Sequence, residues 1–218
     1  MTPIRTLLID DHELVRTGLR AVLDRHAAIA VVGEGSSGDE ALRLAADLRP
    51  DVVLMDLALP GMNGVEATSL LTSARPAPKV IVVSAHDTAK FVGRALRAGA
   101  RGYVLKHDLA ANLATAVIEV HAGRSWFSAA VQDVIAGFAR EPRLLEVDPL
   151  DRLSRRQRSV LQLIAEGRTN RQIAETLGIG ESTVDTHRTE LMRRLDLHDV
   201  ASVVRFAYEE GIVGAGPA

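Results

Sequence analysis

The sequence predicts two folds in series: an α/β domain built on a doubly wound parallel sheet, then an all-α domain of four short helices. Three observations predict this. Up to residue 122, short apolar runs alternate with amphipathic stretches. From residue 151 only helical periodicity remains, with a glycine-bearing break in its middle. The stretch between them, 123–150, changes character and carries Pro142, Pro149 and mixed charges.

In chain order the apolar runs are Ile4–Ile9, Ala30–Gly33, Val52–Met55, Val80–Val83 and Gly102–Leu105. Short runs of this kind, with β-branched residues and little polar alternation, are the mark of strands covered on both faces of a parallel sheet. Between them apolar residues recur at helical spacing, as with Leu14, Val15, Leu19, Val22 and Leu23. Five strands alternating with five helices predict a five-stranded, flavodoxin-like domain over residues 1–122. Residues 123–150 read as a linker with one modest helix, about Ala129–Ala139, and with Trp126 packed within it. In residues 151–211, Ser154 with Gln157 and Thr169 with Gln172 form capping boxes that announce two helix starts. Gly178 and Gly180 flank Ile179 in a tight break before a helix at Glu181–Leu195. A last helix covers about Val200–Glu209. Residues 212–218 are a tail, frayed from Gly214 onward.

Composition narrows the function. The chain has no cysteine, which excludes disulfides, thiolate metal sites and cysteine nucleophiles. It has no apolar run long enough to span a bilayer and no leader-like N-terminus, so a cytoplasmic location is expected, away from membranes. Net charge is −2, and residues 150–218 hold ten basic against ten acidic side chains. Any nucleic-acid contact must therefore rest on local clustering rather than on bulk charge.

The informative residues are those that end the strands, because ligands of open α/β sheets collect beyond the carboxyl ends of the strands at the topological switch point. The first predicted strand ends at Asp10 and Asp11, the third at Asp56, the fourth at Ser84 and the fifth at Lys106. Three carboxylates brought together repel one another, and one pKa must rise unless a cation compensates. Mg²⁺, which takes oxygen ligands, removes the conflict. Lys106 adds a second positive charge for an incoming anion, and an ionised aspartate beside the metal can act as a nucleophile toward a phosphoryl group. After Asp56 the chain runs through Pro60, Gly61, Asn63 and Gly64, turn residues that lead the backbone away from this rim.

The segments "LLIDDH", "VVLMDLALPGMNG", "VVSAHD" and "GYVLK" resemble, in order and spacing, the receiver domain of two-component response regulators. The resemblance covers residues 4–122. It implies that Asp56 is the phospho-acceptor, that Asp11 binds Mg²⁺ directly and Asp10 through water, and that the backbone carbonyl of Ala58 is a further ligand. It implies that Ser84 and Lys106 contact the phosphoryl group and that Tyr103 is the aromatic whose rotamer follows the hydroxyl. The donor would be a sensor histidine kinase.

Residues 153–207 resemble the four-helix LuxR-type helix-turn-helix, and the whole chain resembles a NarL/FixJ-type response regulator. Val160, Leu161, Ile164, Ile173, Ala174, Leu177, Ile179, Val184, Leu191 and Leu195 are its expected core. The resemblance makes Glu181–Leu195 a recognition helix in the major groove of double-stranded DNA. Thr183, Asp185, Thr186, His187, Arg188 and Thr189 would face the groove. Arg193 and Arg194 would reach phosphates, as would Arg155, Arg156 and Arg158. It further implies homodimerisation on activation through the last helix, and contact with RNA polymerase. Two positions depart from the pattern: many relatives carry lysine at the place of Asp185, and a Ser or Thr N-cap at the place of Gly180. The remaining histidines (12, 26, 86, 107, 121 and 198) show no spacing for a metal pair and read as structural or solvated.

The expected function is a DNA-binding transcriptional regulator switched by Mg²⁺-dependent phosphorylation of Asp56. One rival keeps the fold but binds DNA without phosphorylation. Another is a phosphotransfer enzyme with an aspartate nucleophile; such enzymes place a second acid two residues after the nucleophile, where this chain has Ala58. A third, an RNA-binding output, fits the glycine-turned helix pair less well than duplex DNA does.

Overall fold

The structure, a computed structural model, describes residues 2–141 and 148–213. Pro142 and the tail from Gly214 lie outside these residues. The chain divides into two compact units, residues 1–146 and 147–218.

In the first unit, β1 (Ile4–Ile9), β2 (Ile29–Gly35), β3 (Val52–Asp56), β4 (Lys79–Ser84), β5 (Gly102–Leu105) and β6 (Trp126–Phe127) form one sheet in the order β2-β1-β3-β4-β5-β6. Every pairing is parallel. The helices are α1 (Glu13–Leu23), α2 (Gly38–Leu48), α3 (Gly64–Ser73), α4 (Ala89–Arg97), α5 (Leu109–His121) and α6 (Ala129–Arg140). Successive side chains of a strand point to opposite faces, and the packing follows that alternation. Leu8, Leu54, Ile81, Val83 and Val104 pack with Leu19 and Leu23 of α1 and Leu113 and Val117 of α5. On the other face Leu7, Ile9, Val53 and Met55 pack with Ala41 of α2 and Ala67 and Leu71 of α3. Val82, Tyr103 and Leu105 continue that second face, against Phe91 and Val92 of α4 and Val131 and Phe138 of α6.

The sheet thus has six strands rather than the expected five. Within the stretch expected to be a linker, Trp126–Phe127 pairs with β5 and Ala129–Arg140 packs beside α4. Trp126 N–H donates to Arg101 O at 3.2 Å and Ser128 N–H to Tyr103 O at 3.0 Å. The Ser128 hydroxyl in turn accepts from Leu105 N–H at 3.1 Å. A two-residue strand carries no readable periodicity, which is why the pattern missed it. Gly102 is what lets this edge close up, since a Cβ there would meet Trp126 O at 3.1 Å.

The second unit holds α7 (Arg155–Ala165), α8 (Asn170–Leu177), α9 (Glu181–Leu195) and α10 (Val200–Glu209), preceded by a 3-10 turn at Pro149–Arg152. Both expected capping boxes are formed, and Asp199 with Ser202 forms a third that the sequence reading missed. Gly178 ends α8 in the left-handed region, the conformation glycine adopts without strain. Val160, Leu161, Ile164, Ile173, Ala174, Val184 and Leu191 are buried, while Leu177, Ile179 and Leu195 pack partly buried against them. Ile212, placed in the tail by the sequence reading, is buried in the same cluster.

Phe138 tests the place of α6. It is buried with Tyr103 and Leu105, so Phe138→Ala is expected to destabilise the first unit by about 3 kcal/mol. Urea denaturation followed by circular dichroism measures this; an unchanged midpoint would mean that α6 is a detachable linker helix.

Candidate functional site

The strand order places the switch point between β1 and β3, where successive connections leave in opposite directions. Asp10 and Asp11 follow β1, Asp56 ends β3, Ser84 ends β4 and Lys106 follows β5. The structure therefore brings together all five strand-end residues that the sequence singled out. Lys106 Nζ lies 2.9 Å from Asp10 Oδ2 and 3.3 Å from Asp56 Oδ1. Asp10 is fully buried, Asp56 and Ser84 nearly so, and Asp11 sits at the open edge of the rim. Ala58, two residues beyond Asp56, is half-buried in the loop that follows.

The turn chemistry after Asp56 has a steric cause. Gly64 N–H donates to Leu57 O at 2.9 Å, folding the loop back so that α3 begins against the strand end. A Cβ at Gly64 would stand 1.8 Å from Asp56 O, so only glycine fits. Gly61 takes a positive φ of 72°, and Asn63 caps α3 by accepting from Glu66 N–H at 2.9 Å.

Electrostatics set the chemistry of this rim. Burial raises the Asp56 carboxyl to about 6, and the Asp10 carboxylate pushes in the same direction; Lys106 pulls it down but does not prevail. For Lys106 burial acts to lower the pKa, but Asp56 and Asp10 outweigh it and the ammonium is held more firmly charged than usual. Asp10 Oδ2 is buried and has the Lys106 ammonium, 2.9 Å away, as its partner. Two buried carboxylates face one fixed cation, with Asp11 beside them at the open edge, and this set of hard oxygen donors suits Mg²⁺. The group Asp10, Asp11 and His12 offers three ligand atoms within 4.8 Å of one another. His12, read from the sequence as structural or solvated, is largely exposed and places Nδ1 2.7 Å from Oδ1 of its neighbour Asp11.

Tyr103 points inward. It is fully buried, and its hydroxyl donates to His86 O at 2.6 Å. Burial holds the phenol protonated far above the neutral range. His86 N–H donates to the Ser84 hydroxyl at 3.1 Å, and the His86 ring stacks on Phe91 at 4.2 Å. One loop thereby joins Ser84, Tyr103 and α4. His86 carries this role through its backbone and ring face, so its sequence position gave no signal.

On α9, Val184 and Leu191 are buried, and Asp185, Thr186, Thr189, Glu190 and Arg193 line one exposed strip. Thr183 is also exposed, while His187 and Arg188 are half-buried. Three of the basic residues expected at phosphates, Arg156, Arg193 and Arg194, are engaged within the unit. Arg194 pairs with Glu190 at 2.7 Å and donates to Arg152 O at 2.8 Å. Arg193 lies 3.7 Å from Glu190. Arg156 donates to Leu177 O at the end of α8. Arg155 is exposed and Arg158 half-buried on α7. Asp185 accepts from the Asn170 side chain at 2.6 Å, a partner that the sequence reading did not name. Gly180 caps α9 without a side-chain bond, as its identity requires.

The raised Asp56 pKa has a consequence for stability. A carboxyl whose folded pKa lies above its unfolded value contributes stability that is full below about 4 and is lost as the pH rises through about 6. In EDTA, Asp56→Asn is therefore expected to stabilise the protein by about 2 kcal/mol at pH 8, and the gain should vanish toward pH 4. Urea midpoints at the two pH values check the sign.

Comparison with known proteins identifies the family. Residues 6–118 match the family described as the response regulator receiver domain, and residues 151–207 match the bacterial regulatory proteins of the luxR family. The chain is 39% identical over 210 residues to the transcriptional regulatory protein LiaR of Bacillus subtilis, covering 96% of this chain and 99% of LiaR. It is 35% identical over 210 residues to the nitrate/nitrite response regulator protein NarL of Escherichia coli K12, covering 96% and 97%. Among solved structures, the response regulator ChrA of a heme-sensing two-component system aligns at a TM-score of 0.54 and 32% identity, covering 98% of this chain and all of that one. Among the described residues no helix is long and apolar enough to cross a membrane. The family is one of DNA-binding transcriptional regulators rather than enzymes, and the chain belongs to it: it is a two-component response regulator with a receiver domain and a LuxR-type helix-turn-helix.

Proposed function

We propose that a sensor histidine kinase phosphorylates Asp56 in a Mg²⁺-dependent reaction, and that this switches the chain between states of different affinity for double-stranded DNA. The observation that carries the proposal is the Asp56 carboxylate held 3.3 Å from Lys106 Nζ beside Asp10 and Asp11 at the switch point. With a pKa of about 6, Asp56 is mostly ionised at pH 7 and able to attack phosphorus. Its oxygen forms the new P–O bond as the bond to the donor group breaks. Asp11 and the Ala58 carbonyl would hold Mg²⁺ together with Asp56, and Asp10 would hold it through water. When bound, the ion supplies positive charge against the carboxylates and the transferring phosphoryl oxygens. Lys106 Nζ, already directed at Asp56, contacts the same oxygens.

The loop geometry supports such a switch. Ser84 Oγ is engaged by His86 N–H, whose own carbonyl holds the Tyr103 hydroxyl. Turning the Ser84 hydroxyl toward a phosphoryl group releases His86, and with it the inward anchor of Tyr103 and the stack on Phe91 of α4. A state that offers better phosphoryl contacts gains population once Asp56 is modified. The active form would dimerise through α10, where Val200 and Tyr208 are exposed, and bind paired half-sites through α9. Contact with RNA polymerase and a cytoplasmic setting complete the reading.

The test is labelling of the full chain by a small acyl phosphate, with and without Mg²⁺, followed by DNA selection from a random pool. Label should appear only with Mg²⁺ and be abolished in Asp56→Asn, and DNA affinity should change with labelling. Label surviving on the variant refutes the acceptor assignment; equal DNA affinity in both forms refutes the switch.

A further inference from the structure

Asp185 and Arg188, an acid and a base three residues apart on α9, meet at one residue of another helix. Asn170, the first residue of α8, donates from Nδ2 to Asp185 Oδ1 at 2.6 Å. Its Oδ1 accepts from Arg188 Nη1 at 3.4 Å. Residues three apart share a helix face, so the two charges flank a single amide. A carboxylate only accepts and a guanidinium only donates, whereas an amide has one end of each kind. The chain of acid, amide and base is therefore satisfied in one amide orientation alone, with NH₂ toward Asp185 and oxygen toward Arg188. A donor at position 185, such as lysine, would call for the reversed amide, and the NH₂ group would then confront the guanidinium.

This arrangement has a consequence for the free edge of Arg188. With Nη1 tied to Asn170, the Nε–Nη2 edge is left to make two parallel bonds, and such a fork matches O6 and N7 of guanine in the major groove. Arg188 and Asn170 are half-buried, so the guanidinium is held from its protein side. Asp185 itself is exposed, and facing DNA as a base-contacting acid it would be repelled by phosphate.

We propose that Asp185 is a positioning residue that orients Asn170, which in turn sets the Arg188 fork for a guanine edge. This rests on the DNA-binding reading of α9. It assigns to the acid a part in sequence choice exerted through Arg188 rather than through a base contact of its own.

The experiment selects binding sequences from a random double-stranded pool with the full-length chain, after acetyl phosphate and Mg²⁺, at two salt concentrations. The variants are Asp185→Asn, Asp185→Ala, Asn170→Ala, Arg188→Ala and the Asp185→Ala/Asn170→Ala double substitution, each with a thermal midpoint like the unsubstituted chain. Asp185→Asn keeps an accepting oxygen and should keep the motif. The three single alanine variants should each lose about tenfold preference for guanine at the same position, and the double variant should lose no more than either of its singles. If Asp185→Ala binds every sequence more tightly with the motif intact, the acid is only a repulsive charge and the proposal fails. If it flattens a different position from Arg188→Ala, Asp185 contacts a base directly and the proposal also fails. The DNA-free protein supplies a second readout: the Asn170 side-chain amide resonances should move in Asp185→Ala and hold in Asp185→Asn, and resonances that ignore Asp185→Ala overturn the bridge. An unsubstituted chain that enriches no sequence overturns the DNA-binding reading and the proposal with it, an outcome told apart because the amide shift needs no DNA.

Discussion

The first unit is organised around two carboxylates that are taken out of water and a single ammonium that faces both. Asp10 and Asp56 stand on neighbouring parallel strands, β1 and β3, and each would be costly to bury ionised and alone. Lys106 reaches them from the far side of the switch point, at the end of β5. One positive charge does not balance two buried carboxylates, and burial, reinforced by Asp10, still raises Asp56. That deficit is the chemical content of the site: its donor set suits a further cation. The sheet supplies the rigidity, since every residue of β3 is buried and its end does not wander.

The same strand ends reach outward through backbone groups. Tyr103 packs in the cluster that contains Phe91 and Phe138, yet its hydroxyl is held by a carbonyl of the loop that also engages Ser84. One hydrogen bond and one ring stack join Ser84 to α4, and a second hydrogen bond joins the same loop to Tyr103. β6 and α6 support the other end of this path, because Ser128 bonds both the carbonyl of Tyr103 and the N–H of Leu105. In the second unit the exposed strip of α9 carries acids beside its bases, so charge alone does not define a DNA surface. The pairings of Glu190 with Arg193 and Arg194, and of Asp185 with Asn170, determine which groups remain to be offered.

Much of this was legible in the chain. Each of the five long strands is built on an apolar run, and the residues that end or follow β1, β3, β4 and β5 make up the rim of Asp10, Asp11, Asp56, Ser84 and Lys106, so it can be read by counting strand ends. The capping boxes at Ser154 and Thr169, the break at Gly178 and the bounds of α9 and α10 follow from local chemistry that acts over four residues or fewer. The third box, Asp199 with Ser202, is equally local but uses Ser rather than Glu or Gln as the returning group, which hides it from the usual pattern.

What tertiary structure alone decided involves partners far apart in sequence or too short to have a period. Trp126–Phe127 is a strand only because β5 offers it an edge, and Gly64 is required only because the loop returns to Asp56 O. His86 gains its place from Tyr103, seventeen residues on, whose hydroxyl its carbonyl holds. Asp185 was anomalous on a helix read by itself, and it became intelligible when Asn170, fifteen residues earlier on α8, proved to be its donor. The sequence by itself determined which elements form and which side chains end them, because periodicity and capping are local. The packing of those elements decided which charges meet, because Coulombic and hydrogen-bond partners are set by distance in space and not along the chain.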